Sequence, residues 1–490
     1  MELDRDLASI QEVRDLTATA RKAQATLATL SQQQIDTIVL RMTEAAEKNA
    51  EALARMAVED TGFGVLQDKV VKNLFASRTV YESIRTVKSI GIIGENREKH
   101  LLEAAVPVGV VAGLVPSTNP TSTTIFKSLI SVKAGNAIIF SPHPSAVRCI
   151  TETVRILTEA ACAAGAPEGI LGVMSMPTLQ GTQELMKRVN LILATGGTAM
   201  VKAAYSSGTP ALGVGPGNVP AYIERTADIP NAVRRIMASK TFDNGTICAS
   251  EQSVVTEACI RDEVIAAFKA RGGAFVSGED AQKIASLIRR PGADTVNPRI
   301  VGQSALKIAE MAGVRVPADT RVILCEQDHV GPEAPFSMEK LSPLLAFYTE
   351  QDWRSACERC LQLLRFGGLG HSLSIHTQNE ELVRTFLTQK PVSRLLVNTG
   401  STQGGIGATT GIMPSLTLGC GAVGGSATSD NVTVYHMFQI RRAAWGLVEP
   451  EAIAPTPAAS AASPAAPSAG TSGEIDAIVE AVLRQLRNVQ

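Results

Sequence analysis

Long apolar runs are missing from this 490-residue chain: the longest, from Ala104 to Val115, is broken by Pro107, Gly109 and Gly113 and is too short to span a bilayer. An excess of either charge is missing too. Lys and Arg number 46 against 47 Asp and Glu, and the basic residues are dispersed, so no basic face for nucleic acid is expected. The start, Met1-Glu2-Leu3-Asp4-Arg5-Asp6, is charged and lacks a secretory apolar segment, which points to the cytoplasm and to reduced, mostly unpaired cysteines. Histidines are scarce, and His143, His329, His376 and His436 fall without metal-ligand spacing; no metal is expected.

What is present is a regular alternation of elements, in a chain long enough for two or three domains. Between Ile10 and Tyr81, Ala, Leu, Glu, Gln and Lys recur with apolar residues three and four apart, a helical pattern. Residues 87–107 alternate Ile, Val and Gly with charged residues and read as an extended ribbon. Short apolar runs follow at 108–115, 137–140, 170–174 and 191–194, each leading into a turn and a helical stretch. Fully apolar strands alternating with helices imply a parallel sheet covered on both faces, a doubly wound α/β layout. After Pro220 the alternation restarts, with strands expected at 253–255, 322–324, 373–376 and 394–398, so a second α/β domain is expected.

Among eight cysteines, Cys149, Cys162, Cys259 and Cys325 lie in helical or strand-like apolar patterns and read as small core residues. Cys357 and Cys360 form a Cys-x-x-Cys inside a helical pattern, with no second pair or neighbouring histidine to complete a metal set. Cys420 sits in the turn Leu418-Gly419-Cys420-Gly421 and is a rival nucleophile. Cys248 differs from all of these. It lies in Phe242-Asp243-Asn244-Gly245-Thr246-Ile247-Cys248-Ala249-Ser250, a small polar turn ahead of an apolar run, where a partly exposed thiol can gain the donors or positive potential that a thiolate needs.

Several glycine turns close predicted strands. Thr195-Gly196-Gly197-Thr198 follows one strand and opens a helix, placing free backbone N–H groups where a pyrophosphate can bind, although it is not a Gly-x-Gly-x-x-Gly fingerprint. Gly213-Val214-Gly215-Pro216-Gly217, the Gly404-Gly405-Ile406-Gly407 turn and the glycines around Cys420 suggest backbone approaching an extended ligand at several points, or simple turn chemistry.

Taken in order, these segments resemble the aldehyde dehydrogenase superfamily, and more closely its CoA-acylating branch. The resemblance covers about Ala18 to Leu447, and Asn244-Gly245-Thr246-Ile247-Cys248 is its most specific motif. It implies an aldehyde dehydrogenase fold with two doubly wound α/β domains and a β-ribbon oligomerisation arm. Residues 1–222 would hold the N-terminal helices and the NAD-binding domain, with 87–107 as part of the arm; 223–425 would be the catalytic domain and 426–447 the rest of the arm. The chemistry implied is attack of Cys248 on an aldehyde, hydride loss to NAD, and transfer of the resulting thioester to coenzyme A. Asn119, in Val115-Pro116-Ser117-Thr118-Asn119-Pro120, matches the family's oxyanion asparagine, with the Cys248 N–H as second donor; one such donor is worth about 3 kcal/mol. The same residues also read as an ordinary Asn-Pro turn. Pro116, Ser117, Thr118, Ser141, Pro142, His143, the Thr195–Thr198 turn, Gly213, Val214 and Gly215 are the implied cofactor contacts, and Glu339 matches the ribose-binding glutamate. His371 matches a histidine of the acylating branch, which moves a proton, steadies a phosphate or merely caps a turn.

One departure separates transfer from hydrolysis. Hydrolytic members carry a water-activating glutamate in a Glu-Leu-Gly-Gly motif, where this chain has Gly213-Val214-Gly215-Pro216. Water then lacks its base, whereas a thiol of pKa near ~8.5 already supplies some thiolate at neutral pH. A hydrolytic enzyme and a non-catalytic cargo or scaffold protein are the alternatives.

Residues 452–473 are nearly all Ala, Pro, Ser, Gly and Thr and read as a disordered linker. In 474–490, Ile475, Ile478, Val479, Val482, Leu483 and Leu486 recur at helical spacing, giving an amphipathic helix on a tether whose apolar face needs a partner or folds back on its own domain. It resembles the encapsulation peptides of bacterial microcompartment enzymes, which implies shell or core-enzyme partners, a microcompartment lumen and a short aldehyde such as propionaldehyde or acetaldehyde. The ribbon near Ile92–Val106 and the run 432–438 resemble the family's intersubunit arm, implying a homo-oligomer, dimer or tetramer.

Overall fold

The computed structural model describes residues 4–293, 295–450, 476, 477, 479–481 and 484; the 452–473 linker and most of the terminal helix expected at 474–490 lie outside them. The chain divides into two compact units, one of Met1–Gly94 with Glu103–Arg441 and a small one formed by Glu95–Leu102 with the chain from Arg442 onward. No helix among the described residues is long and apolar enough to cross a membrane.

The N-terminal helical pattern becomes the helices Arg5–Leu27, Gln32–Lys48, Ala50–Thr61 and Leu66–Leu74. Ser31 opens the second with a capping box shared with Gln34, which satisfies two otherwise unpaired N–H groups. Strands β1 (Gly91–Asn96) and β2 (Leu101–Pro107) follow.

Next come β3 (Val110–Val115), β4 (Ala137–Pro142), β5 (Leu171–Val173), β6 (Leu191–Thr195) and β7 (Ala211–Val214), a parallel sheet in the order β5-β4-β3-β6-β7. Every residue of β3 and β4 is buried. Alternate side chains serve opposite faces: Val111, Ile138 and Leu193 pack into one core, Val110, Ile139 and Ile192 into the other. Burying each such side chain is worth about 1.5–3 kcal/mol, and only a run apolar at every position can fill both cores. The chain adds β4 and β5 on one side of β3 and then returns to add β6 and β7 on the other. That reversal opens a crevice at the carboxyl ends of β3 and β6. Lys127 bridges the two strands there, its Nζ donating to the carbonyls of Leu114 at 2.7 Å and Leu193 at 2.8 Å.

The second sheet is also parallel. It comprises β8 (Val219–Ile223), β9 (Glu251–Glu257), β10 (Gly273–Val276), β11 (Val322–Glu326), β12 (Leu344–Glu350), β13 (Gly370–His376) and β14 (Val392–Val397), ordered β10-β11-β12-β9-β8-β13-β14. Because β8 belongs to this sheet, the chain changes sheets between β7 and β8, a few residues before the 222/223 boundary expected from sequence.

A third sheet has the order β1-β2-β15, where β15 is Phe438–Ala444. The run 432–438, expected as part of this ribbon, is mostly not strand: Val434–His436 is a 3-10 turn, and Val432, Val434 and Met437 are buried. Their alternation reflects core packing, and the strand begins only at Phe438.

Candidate active site

The crevice opens into a cleft of about 800 Å³. Successive strand ends supply its walls: Pro116, Ser117, Thr118 and Asn119 after β3, Ser141, Pro142 and His143 at the end of β4, Thr195, Gly196 and Gly197 at the end of β6, and Val214 and Gly215 at the end of β7. Cys248, on the loop before β9, and Glu339 complete it. Fourteen of these positions were expected in one site from sequence alone. Thr198, Gly213 and His371 do not line the cleft. Gly213 is a strand residue, and a side chain there would press into Tyr205 and Val201 at 2.8 Å.

The turn after β6 has room for a ligand. An added Cβ at Gly197 or Gly215 would meet no atom within 4 Å, and at Gly196 only the Met200 side chain. Thr195 Oγ1 is buried and has no hydrogen-bond partner, and Gly197 caps the helix Thr198–Tyr205 without a side-chain bond. An unused hydroxyl beside an uncapped helix start fits a dinucleotide phosphate, which supplies the acceptors both lack. Ser141 is instead occupied, its Oγ 2.8 Å from Thr182 Oγ1, and the exposed His143 turns its Nδ1 to Ser145 Oγ at 2.9 Å.

The loop carrying Cys248 is held by buried charge. Asp243 and Asn244 have positive φ, 50° and 51°, a left-handed conformation rare for residues with side chains. Asp243 is fully buried and its Oδ2 binds Lys72 Nζ, Lys69 Nζ at 3.0 Å and Thr246 Oγ1 at 2.7 Å, while Oδ1 accepts the Val65 N–H at 2.7 Å. Burial opposes the Asp243 charge, but Lys72 and Lys69 more than compensate and hold its carboxyl below the ordinary range. Asn244 Nδ2 donates to the Gly302 carbonyl at 2.9 Å, which supports the second left-handed residue. Asn119 joins the network: its Nδ2 donates to the Thr246 carbonyl at 2.9 Å and its Oδ1 accepts from Lys72 Nζ at 2.6 Å. The roles of Lys69, Lys72 and Asp243 were missed in the sequence. Lys69 and Lys72 sit in an amphipathic helix among polar neighbours, a pattern that normally marks a solvated face.

Cys248 is half-buried, as its polar turn predicts, but the electrostatics around it disfavour the thiolate that those surroundings were expected to support. Desolvation, together with the nearby Glu339 carboxylate and Cys420, pushes the Cys248 thiol up to about 12, against the opposing pull of Arg394. Glu339 is itself perturbed. Burial raises its carboxyl to about 7, against the Gly217 N–H that it accepts at 2.9 Å and the charges of Lys240 and Lys340. It is the sole carboxylate among the residues lining the cleft.

His371 lies in β13, fully buried, with Nδ1 3.0 Å from Ser372 Oγ and Nε2 without a partner. Burial, with Arg394 beside it, lowers its imidazole to about 3, so it is neutral near pH 7. Cys420, read from its flexible turn as the rival nucleophile, is buried, with its thiol raised by desolvation. Cys259, expected in the core, is exposed in a 3-10 turn following β9.

Residues 5–312 match the sequence model of the aldehyde dehydrogenase family. The chain belongs to that family. Within it the similarity is to acylating members. An acetylating aldehyde dehydrogenase from Geobacillus thermoglucosidasius has 52% identity and a TM-score of 0.90, covering 91% of this chain and 99% of its own. The propionaldehyde dehydrogenase of the Clostridium phytofermentans fucose utilisation bacterial microcompartment has 28% identity and a TM-score of 0.80, covering 89% and 97%. The bifunctional aldehyde-alcohol dehydrogenase AdhE of Escherichia coli K12 is 44% identical over 436 residues, 88% of this chain but 49% of the relative. The chain spans about half the length of such bifunctional relatives.

Proposed function

We propose that this aldehyde dehydrogenase oxidises a short aliphatic aldehyde, propionaldehyde or acetaldehyde, to its acyl-CoA with reduction of NAD, through a thioester at Cys248. The observation that carries the reading is the meeting of Cys248 and Asn119 in a cleft whose lining offers no carboxylate at 213–217 to activate water. The Cys248 thiol gives up its proton to solvent, Sγ bonds to the aldehyde carbon as the C=O π bond opens, and the Asn119 Nδ2–H with the Cys248 backbone N–H receives the oxygen as it becomes an oxyanion. The Thr195–Gly197 turn and the helix start behind it hold the dinucleotide phosphates, and Glu339 accepts from the ribose hydroxyls. When bound there, an oxidised nicotinamide would supply the hydride acceptor and a positive charge beside the protonated Cys248 thiol. Attack by the CoA thiol on the thioester carbon releases acyl-CoA and frees Cys248.

A second reading is hydrolysis, with Glu339 as the base. A carboxyl near 7 in the cleft is the feature that favours it. The two readings separate on acceptor dependence. With aldehyde and NAD but no CoA, an acylating enzyme gives one burst of NADH and then stalls, and mass spectrometry finds an acyl group on the Cys248 peptide; Cys248→Ala abolishes both. Steady NADH formation at the full rate without CoA would establish hydrolysis instead.

Beyond the site, we propose that the β1-β2-β15 ribbon pairs subunits into a dimer or tetramer, and that 474–490 docks the enzyme in a microcompartment. Support for the second comes from the amphipathic spacing of that segment and from the microcompartment origin of a structural relative. Removing 473–490 should leave turnover intact and end co-sedimentation with shells; unchanged co-sedimentation refutes the targeting role.

A further inference from the structure

We propose that Lys72 is a positioning residue for the oxyanion donor, its ammonium fixing the Asn119 carboxamide in the orientation that leaves an N–H free for substrate oxygen. This rests on the reading of Asn119 as that donor.

Two neighbours decide which way the Asn119 amide points. Lys72 Nζ can only donate, and it lies 2.6 Å from Oδ1; the Thr246 carbonyl can only accept, and it lies 2.9 Å from Nδ2. Turning the amide over would set N–H against ammonium and oxygen against oxygen, losing both bonds. The second Nδ2 proton has only a 3.3 Å contact with Thr118 Oγ1, too long to hold it strongly. Asn119 lines the cleft, so that proton is available to an oxygen there.

Lys72 is itself fixed. Its Nζ binds the Asp243 carboxylate and lies 3.2 Å from Thr246 Oγ1 and 3.3 Å from the Thr246 carbonyl. Lys69 already pairs with Asp243 from the same helix, so loop anchoring alone does not require a second buried lysine. Lys72 differs from Lys69 in lining the cleft and in touching Asn119. Burial lowers its ammonium to about 8 and Asp243 keeps the proton on, so the charged donor persists at neutral pH. The helix Leu66–Leu74, Asn119 and the nucleophile's loop thus form one hydrogen-bonded unit with Lys72 at its centre.

A double-mutant cycle on the full chain, with propionaldehyde, NAD and CoA, tests this. Asn119→Ala should lower kcat on the order of 10²–10³-fold. Lys72→Met should lower kcat ~10-fold or more with the aldehyde KM little changed. The double variant should be no slower than Asn119→Ala alone, because nothing is left to orient. Lys72→Gln, uncharged but still a donor, should recover part of the loss, and it carries the same cycle if Lys72→Met does not fold. A Lys72 effect that persists in full in the Asn119→Ala background overturns the proposal and leaves Asn119 its role. An Asn119→Ala enzyme with wild-type kcat overturns the reading of Asn119, and the positioning role with it.

Discussion

At Gly197 and Gly215 an added methyl group would meet no atom within 4 Å, whereas at Gly217 it would strike the Cys248 carbonyl oxygen and at Gly64 the Asp243 carboxylate. Two glycine-bearing regions border one cleft, and they are built in opposite ways. The turn after β6, and Gly215 after β7, keep their backbone clear and leave a buried hydroxyl, Thr195 Oγ1, unpaired. The Cys248 loop leaves no space at the two glycines packed against it, Gly217 and Gly64, and answers its buried carboxylate with two lysines. Open backbone suits a ligand that arrives and departs. Closed backbone suits the role proposed for Cys248, a sulfur held in register with Asn119, since a misplacement of about 1 Å can cost about 10²-fold in rate.

Substitutions can break this contrast at its closed side first. Asp243→Asn leaves Lys69 and Lys72 buried without their counter-charge, and should lower unfolding free energy by about 3–5 kcal/mol in denaturant titration. The pH dependence fixes the sign. Because the Asp243 carboxyl is held below its ordinary range, its contribution is present above ~3.9 and lost as pH falls through the lower native value, so the variant should lose that part of the acid dependence. Next in size is Gly217→Ala. The methyl group meets backbone, which cannot swing aside, and overpacking of this kind costs ~1–3 kcal/mol with a displaced Cys248 and a large fall in kcat. A Gly217→Ala enzyme with wild-type melting and kcat would show that the loop is not closed.

The open side should respond differently. Gly197 has φ −66°, which alanine adopts freely, and free space around it. Gly197→Ala should therefore leave melting unchanged while raising the NAD KM several-fold, because the methyl group occupies the phosphate's approach. An unchanged KM would remove this turn from the cofactor site.

What could be read from the chain divides along a similar line. Strands β3, β4 and β6 were legible because burial on both faces requires apolar residues at every position, a property of the strand itself. Strand β8 was not, because Pro220 argues against an interior strand; the structure accommodates it with a register shift between Val219 and Pro220. The Thr195 turn and the Cys248 motif are local and were found. The Lys72–Asp243 pair joins residues 171 positions apart, and no spacing within either helix or loop announces it. The thiol was misjudged for a related reason. Asn244 and Thr246 look like donors for sulfur, but their side chains are spent on the Gly302 carbonyl and on Asp243.

That misjudgement supplies the finest test of the contrast. If the closed region holds Cys248 as an unreactive thiol until a ligand fills the open one, the Cys248 peptide of the apo enzyme, followed separately from the exposed Cys259, should alkylate slowly with iodoacetamide, the rate rising about tenfold per pH unit through pH 7–9, still below a thiol pKa pushed up to about 12. Glu339 contributes to that suppression through its negative charge. Above about pH 7, where its carboxyl is ionised, Glu339→Gln should raise the alkylation rate several-fold; below that pH wild type and variant should converge, because the protonated acid is already neutral. The Gln amide keeps the bond to the Gly217 N–H, so the loop is undisturbed. Equal rates at pH 8 would mean that desolvation alone holds the proton on sulfur, and that the carboxylate serves the ligand without restraining the nucleophile.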